Sequence, residues 1–280
     1  MKPGIYKDIS NKDYHATTAI NASFLKSWIL QSPFHAKYGK NDIGKLVADL
    51  GTATHSMTLQ PELNLVEMST EKTRATKAYK EHEARCVEEG KVLLPQKDFE
   101  MVKGLVNGVE TEDGEVVGGL MGDPHCRKLL TEKDRVCEAS IFVKDRGSMV
   151  YSGTGQLLKA RPDIFSEKLG MMGDVKTCQD ASPKKFGREI FMRGYHLQAA
   201  HYLICAEEHG LEIRNWGFLA VSKTWPYPAH FHMLEDYVLD YAKKICRAAY
   251  EEMQRAAETG VYDTRWPSFS KHELPDYLDN

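Results

Sequence analysis

Residues 158–176 read LKARPDIFSEKLGMMGDVK, and the fold turns on how this stretch is folded. Lys168-Leu169-Gly170 is a turn signal between two apolar runs. We therefore expect one or two strands over 151–165 and another over 171–177. Alternate residues of a strand face one side. Asp174 and Lys176 then share a face, and Val175 points into the core. If 157–165 pairs with 171–177 as a hairpin, Asp163 comes beside Asp174. Two carboxylates and an ammonium would meet at one spot.

That set suits phosphate chemistry. Hard divalent cations such as Mg²⁺ prefer carboxylate oxygens and keep several waters. The ion lowers the pKa of a bound water and draws charge off a phosphate oxygen. A lysine beside it can orient that water or face the charge developing at phosphorus. A dry site would lower the lysine's pKa, while the carboxylate pair would raise it. Acidic-x-Lys alone carries little: Glu89-Gly90-Lys91 has the same spacing at the end of a charged helical stretch. The Asp174 instance lies in a strand, follows Asp163 by eleven residues, and has Glu138 on a preceding strand.

Outward from this stretch the chain reads as helices, then strands, then helix, strands and helix. Asn21 or Ser23 caps a helix through Phe24, Leu25, Trp28 and Ile29, which Ser32-Pro33 stops. Short or longer helices are expected over 34–38, 46–59, 71–89 and 97–107. Cys137–Val143 alternates as a strand. One helix is expected from Pro183 to His209, closed by Gly210. Trp216–Ser222 and Pro228–Leu234 read as a hairpin, Asp236–Thr259 as a long amphipathic helix, and the tail from Trp266 as irregular. The expected class is mixed α/β, with a small central mixed sheet flanked by helices. We expect one domain over 1–280, with 1–130 mainly helical and 131–265 forming the catalytic core.

Composition narrows the classes. Of 280 residues, 37 are Lys or Arg and 40 Asp or Glu, a net charge of −3, which argues against a generic basic nucleic-acid binder. A hydrophobic share of 42% argues against disorder. No run approaches roughly 18 uncharged apolar residues, so no membrane span is expected. The opening MKPGIYKDISNKDYH has no apolar stretch, so we expect no signal peptide and a cytoplasmic location. Six cysteines at 86, 126, 137, 178, 205 and 246 contain no Cys-x-x-Cys pair. Reduced, mostly buried thiols are expected, not a four-cysteine zinc or iron–sulfur site.

Several ordered segments carry a resemblance. Gly4-Ile5-Tyr6 with Asp13-Tyr14-His15, the Leu50–His55 segment LGTATH, Glu138-Ala139-Ser140-Ile141, Arg161-Pro162-Asp163, Asp174-Val175-Lys176-Thr177 and the His196–Tyr202 segment HLQAAHY stand in this order. Together they resemble the PD-(D/E)xK nuclease superfamily, and within it the RecE-type phage exonucleases (the exonuclease VIII catalytic domain), over about residues 4–270. The resemblance implies a PD-(D/E)xK, restriction-endonuclease-like core. It implies that Asp163, Asp174 and the Val175 carbonyl ligate Mg²⁺, for which Mn²⁺ can substitute. Lys176 would serve the attacking water, and Glu138 would hold a metal-bound water or a second ion. His55 would lie near the metal, with Gln198 and Tyr202 on one helical face beside it. Relatives with an iron–sulfur cluster place their cysteines differently, so no cluster is expected.

The implied activity is a 5′-to-3′ double-stranded DNA exonuclease that leaves 3′ single-stranded overhangs for a RecT-like single-strand annealing protein in phage-type recombination. The implied assembly is a ring-shaped homo-oligomer. Arg161, Lys184, Lys185, Arg188 and Arg193 are candidate DNA contacts, and Ser23 and Lys26 at a helix start are candidates for a terminal phosphate. Two other readings stay open: a single-strand or structure-specific nuclease on the same core, and a DNA-binding module without catalysis. His230-x-His232 places two imidazoles on one strand face without an evident third ligand, and Cys178 reads as packing.

Overall fold

The computed structural model describes residues 1–7, 9–40, 44–147 and 152–266. A short strand β1 (Gly4–Tyr6) leads into α1 (Asn11–Ala16), α2 (Ala22–Leu30), α3 (Pro33–Tyr38) and α4 (Lys45–Leu59). A small unit follows: β2 (Val66–Ser69), α5 (Lys77–Glu88), β3 (Val92–Pro95) and α6 (Gln96–Asn107). The hairpin β4 (Val109–Glu110) and β5 (Val116–Val117) and helix α7 (Pro124–Leu130) complete the N-terminal half. The C-terminal half holds β6 (Val136–Cys137), β7 (Ser140–Lys144), β8 (Leu157–Ala160), β9 (Ile164–Ser166), β10 (Met171–Cys178), α8 (Pro183–Met192), α9 (Tyr195–His209), β11 (Asn215–Ser222), β12 (Ala229–Met233) and α10 (Asp236–Thr259).

Two sheets organise the C-terminal half. The larger has the order β12-β11-β10-β9-β6, and the smaller β1-β7-β8. β10 and β11 are parallel over their full eight residues, from Met171↔Asn215 to Cys178↔Ser222. Parallel neighbours need a long crossover, and α8 with α9 supplies it. The alternation in β10 is as expected. Val175 packs with Leu129, Ile164, Leu219 and Val221 on one face of the sheet. Asp174 and Lys176 face α9 on the other.

α9 is buried round nearly its whole circumference from His196 to Ala206. Leu197, Ala199, Ala200, Leu203 and Ile204 are buried against the main core, which Trp28 of α2 and Tyr250 of α10 complete. The single helix expected over 183–209 is two. Arg193 ends α8, and Gly194 at φ +63° turns the chain into α9. Leu30 lies so close that a Cβ on Gly194 would meet its Cδ1 at 2.8 Å, so the break serves packing.

The hairpin expectation is met in part. Only Ile164–Ser166 pairs with Met171–Gly173. Residues 157–160 leave this sheet and pair with β7. Likewise the strand expected over 137–143 breaks at Glu138: β6 pairs with β9, whereas β7 pairs with β1 and β8. Asn21 is the cap of α2, accepting from the Phe24 amide at 2.8 Å. The charged stretch 71–89 becomes helical only after the Thr76 cap, and its buried face carries Tyr79 and Cys86. Tyr151 and the tail beyond Trp266 lie outside the described residues. Among the described residues no helix is long and apolar enough to cross a membrane.

Candidate metal centre and active site

The chain crosses between the two sheets twice, and an acid stands at each crossing. Glu138 lies between β6 and β7, and Asp163 between β8 and β9. The Glu138 amide donates to the Asp163 carbonyl at 3.1 Å, tying the crossings together. Glu138 adopts φ +53°. This left-handed backbone is costly for a side chain with a Cβ, on the order of 1–3 kcal/mol, and needs surrounding structure to hold it. The neighbouring strand of the large sheet, β10, brings Asp174 to the same place.

Asp163 is 7% exposed, and its Oδ2 accepts the Val175 amide at 2.6 Å. The N–H and C=O of one strand residue point the same lateral way. The Val175 carbonyl therefore also projects past the end of β9, on the side of Asp163. Asp174 is 2% exposed. Its Oδ1 accepts Gln198 Nε2 at 2.7 Å, and its Oδ2 forms an ion pair with Lys176 Nζ. Among the described residues the Lys176 ammonium is the partner of this buried oxygen. Lys176 Nζ also stands 4.7 Å from the centre of the Tyr195 ring, a cation–π contact.

His55 reaches the site from α4, with Nδ1 3.3 Å from Asp163 Oδ2. The LGTATH segment permits this approach because Ala53 and Thr54 are small and fully buried. The Thr54 hydroxyl is satisfied internally, donating to the Leu50 carbonyl at 2.8 Å. The side-chain ligand atoms of His55, Glu138 and Asp163 all lie within 4.8 Å of one another.

The electrostatics follow from burial and like charge. Burial pushes the Asp174 carboxyl up and Asp163 adds to it, with Lys176 offsetting only part. Burial also raises Asp163, but His55 and Lys176 outweigh that and hold it below its ordinary value. Glu138 is pushed up to about 7 by burial and by the Asp163 charge, against the pull of His55 and Arg161. Burial pulls His55 down, yet Asp163 and Asp174 overcome it and hold it at about 9. Lys176 is likewise raised on balance, because Asp174 and Asp163 outweigh its desolvation. Of the two opposing effects expected at this lysine, the carboxylates win and the ammonium stays charged.

The donor set fits a hard divalent cation. Three carboxylates converge, and burial together with the Asp163 charge keeps Glu138 partly protonated in the absence of a cation. A cavity of about 670 Å³ opens beside the site, lined by His55, Glu138, Arg161, Thr52, Asn11 and Lys7 among others. A second of about 500 Å³ adjoins it across Arg161 and is lined by Ser23, Asn21, His35 and Tyr202.

The remaining candidates fall into three groups. Gln198 touches Asp174 directly, whereas Tyr202 packs edge-on to Trp216 at 5.7 Å and forms cavity wall. Arg161 is committed to the chain itself: Nε donates to Ser140 Oγ at 2.8 Å, Nη2 to the Ile9 carbonyl at 3.0 Å, and Nη1 to Asn11 Oδ1. It also lies 4.3 Å over the Tyr14 ring, so it clamps the N-terminal segment onto the site.

Lys26 is drawn into the site. Its Nζ lies 5.4 Å over the Tyr195 ring, and burial with the charges of Lys176 and Arg193 lowers it to about 8, against Asp174. Ser23 is exposed on α2. Lys184, Lys185 and Arg188 are exposed on α8, where Lys185 pairs with Asp180 at 3.4 Å. Arg193 pairs with Glu189. His232 bonds the Ala181 carbonyl at 3.0 Å and packs at a tilt against the Phe186 ring. Sequence reading missed Tyr195. Its only signal was its place just after Gly194, facing a strand lysine from the next helix.

Residues 138–267, just under half of the chain, match a family described as a PDDEXK-like domain of unknown function (DUF3799). No curated protein matches this chain in sequence. Among solved structures, a candidate exonuclease from Eubacterium rectale superposes with a TM-score of 0.58 at 12% identity, over 97% of each chain. At that identity the likeness speaks for the fold. The two parallel strands joined by α8 and α9, the Asp163 and Asp174-x-Lys176 cluster, and both matches agree: this chain is built on a PD-(D/E)xK, restriction-endonuclease-like core.

Proposed function

We propose that the protein is a metal-dependent DNA exonuclease acting on duplex ends. The observation that carries this reading is the buried Asp163–Asp174–Lys176 cluster, with His55 and Glu138 beside it and a cavity leading in. Asp163, Asp174 and the Val175 carbonyl would hold Mg²⁺ (or Mn²⁺), with Glu138 on a bound water or a second ion. When bound, the cation polarises the phosphate and acidifies water.

The chain's own groups do the rest. Gln198 fixes the Asp174 carboxylate through Oδ1, leaving Oδ2 directed at the site. His55 keeps Asp163 ionised. Lys176, charged and held between Asp174 and Tyr195, orients the attacking water and faces the negative charge that grows on the phosphate oxygens. Water adds to phosphorus, and the bond to the leaving sugar oxygen breaks. Lys26, Arg193, Lys184, Lys185 and Arg188 extend positive charge outward for neighbouring phosphates, and Ser23 lies at the cavity rim. Asn21, Ser23 and His35 make a polar pocket beside the site that suits a terminal phosphate.

In line with the resemblance, we take the direction as 5′ to 3′, the product as a 3′ overhang for an annealing protein, and the assembly as a homo-oligomeric ring. Digestion of duplex DNA labelled at either end, with Mg²⁺ against EDTA, tests activity, metal need and polarity together. Release of nucleotides from the 5′ label first, only with Mg²⁺, is expected. A protein that binds DNA tightly and releases no nucleotide with Mg²⁺ or Mn²⁺ is a binding module, and the reading fails. Preference for single strands or branched duplexes would move the reading to another nuclease on the same core.

A further inference from the structure

A second cluster of metal-ligating side chains lies outside the acidic site, in the small unit formed by β2, α5 and β3. His82 and Cys86 are one turn apart on α5 and face the same way. Glu67 projects toward them from β2, with its Oε1 2.7 Å from His82 Nε2. The ligand atoms of Glu67, His82 and Cys86 lie within 4.8 Å of one another. Cys86 is 2% exposed, yet its thiol is directed at the Glu67 carboxylate. Glu67 and His82 keep a solvent-facing edge, with side chains 41% and 25% exposed.

We propose that Glu67, His82 and Cys86 form a zinc site, with water in the fourth position. The ligand chemistry separates it from the catalytic cluster. A thiolate, an imidazole and one carboxylate suit borderline-soft Zn²⁺ in tetrahedral geometry, whereas the catalytic carboxylates suit Mg²⁺. Lys91 stands 3.8 Å from Glu67 Oε2. It has a second partner in Glu89 at 2.5 Å, so it can yield Glu67 to the metal without losing its own ion pair.

The place gives the metal a role. Among the described residues, the hydrophobic cluster under α5 contains only Tyr79, Cys86 and Leu93. A core that small stabilises little by itself, and small units of this kind are commonly stapled. Zn²⁺ would bridge helix to strand, and its binding energy becomes folding energy for this unit.

The test uses the full chain carrying Asp163→Asn and Asp174→Asn, so that the catalytic cluster contributes no site. The protein is stripped with chelator and titrated with Co²⁺, then with Zn²⁺. A thiolate-to-cobalt charge-transfer band that Zn²⁺ displaces is expected, together with a rise in Tm on adding Zn²⁺. Adding Cys86→Ser removes the band and the Tm rise. Glu67→Gln, a change at a partly exposed carboxylate, weakens Co²⁺ binding by about tenfold or more and keeps the fold. Absence of the band in the parent protein, its survival in Cys86→Ser, or unchanged affinity in Glu67→Gln overturns the proposal.

Discussion

Lys26→Met should make the protein more stable and less active. Lys26 makes no ion pair among the described residues, and it sits near Lys176 and Arg193. Moving its pKa from the ordinary 10.5 to about 8 corresponds to about 3 kcal/mol for keeping the ammonium charged at neutral pH, at about 1.36 kcal/mol per pH unit. The side chain retains some solvent contact, and screening reduces the figure to about 1–2 kcal/mol. Methionine keeps the stem's packing against the Gly194 turn and removes the charge.

The sign can be followed through pH. The folded pKa lies below the unfolded one, so between about pH 8 and 10 the unfolded chain binds more protons and the stability of the parent protein rises with pH. The advantage of Lys26→Met is therefore largest at pH 7 and fades by about pH 10. Thermal unfolding at pH 7 should show Tm higher by about 2–4 °C, with a smaller gain near pH 9.5. Nuclease rate on duplex DNA should fall by about tenfold or more, about 1.4 kcal/mol of barrier. A variant that is less stable at pH 7, or whose gain is unchanged at high pH, would refute the placement of Lys26 as an unpaired cation held for a phosphate.

Other outcomes follow from the same geometry. Asp174→Ala or Asp163→Ala should cost far more than tenfold in Mg²⁺-dependent nucleotide release; a loss within about tenfold places the site elsewhere. Divalent-cation affinity, measured by calorimetry, should rise with pH across the neutral range, because Glu138, pushed up to about 7, must release its proton to solvent when the cation binds. The same titration on Glu138→Gln should show a flatter profile. Gln198→Ala frees the Asp174 carboxylate and should weaken metal affinity by about 10–100-fold while leaving Tm nearly unchanged. Arg161→Lys cannot reproduce the bonds to Ser140, Ile9 and Asn11 together, so denaturant unfolding should show a loss of about 1–3 kcal/mol.

Much of the site was legible from local chemistry. A two-residue period put Asp174 and Lys176 on one face and Val175 on the other, because strand geometry needs no long-range information. The turn at 168–170 was likewise local: Gly170 adopts φ +57° and its amide bonds the Glu167 carbonyl at 2.9 Å. Gln198 and Tyr202 shared a helical face as expected, but only Gln198 reaches an acid. A four-residue spacing fixes direction round a helix and not distance from a strand.

What the chain alone determined is the set of groups: an acid, a β-strand Asp-x-Lys and a second acid upstream, each of which follows from residue type and period, while His55 was implied by the resemblance. The tertiary structure alone decided that 157–160 and 164–166 enter different sheets, so that Glu138 and Asp163 stand at the two crossings. It also put Tyr195 beneath Lys176, committed Arg161 to the N-terminal segment, and brought Lys26 to the same Tyr195 ring as Lys176. These are choices of partner between residues distant in sequence. They are settled by which packing buries the apolar faces of α9 and β10 together, and no local period encodes that.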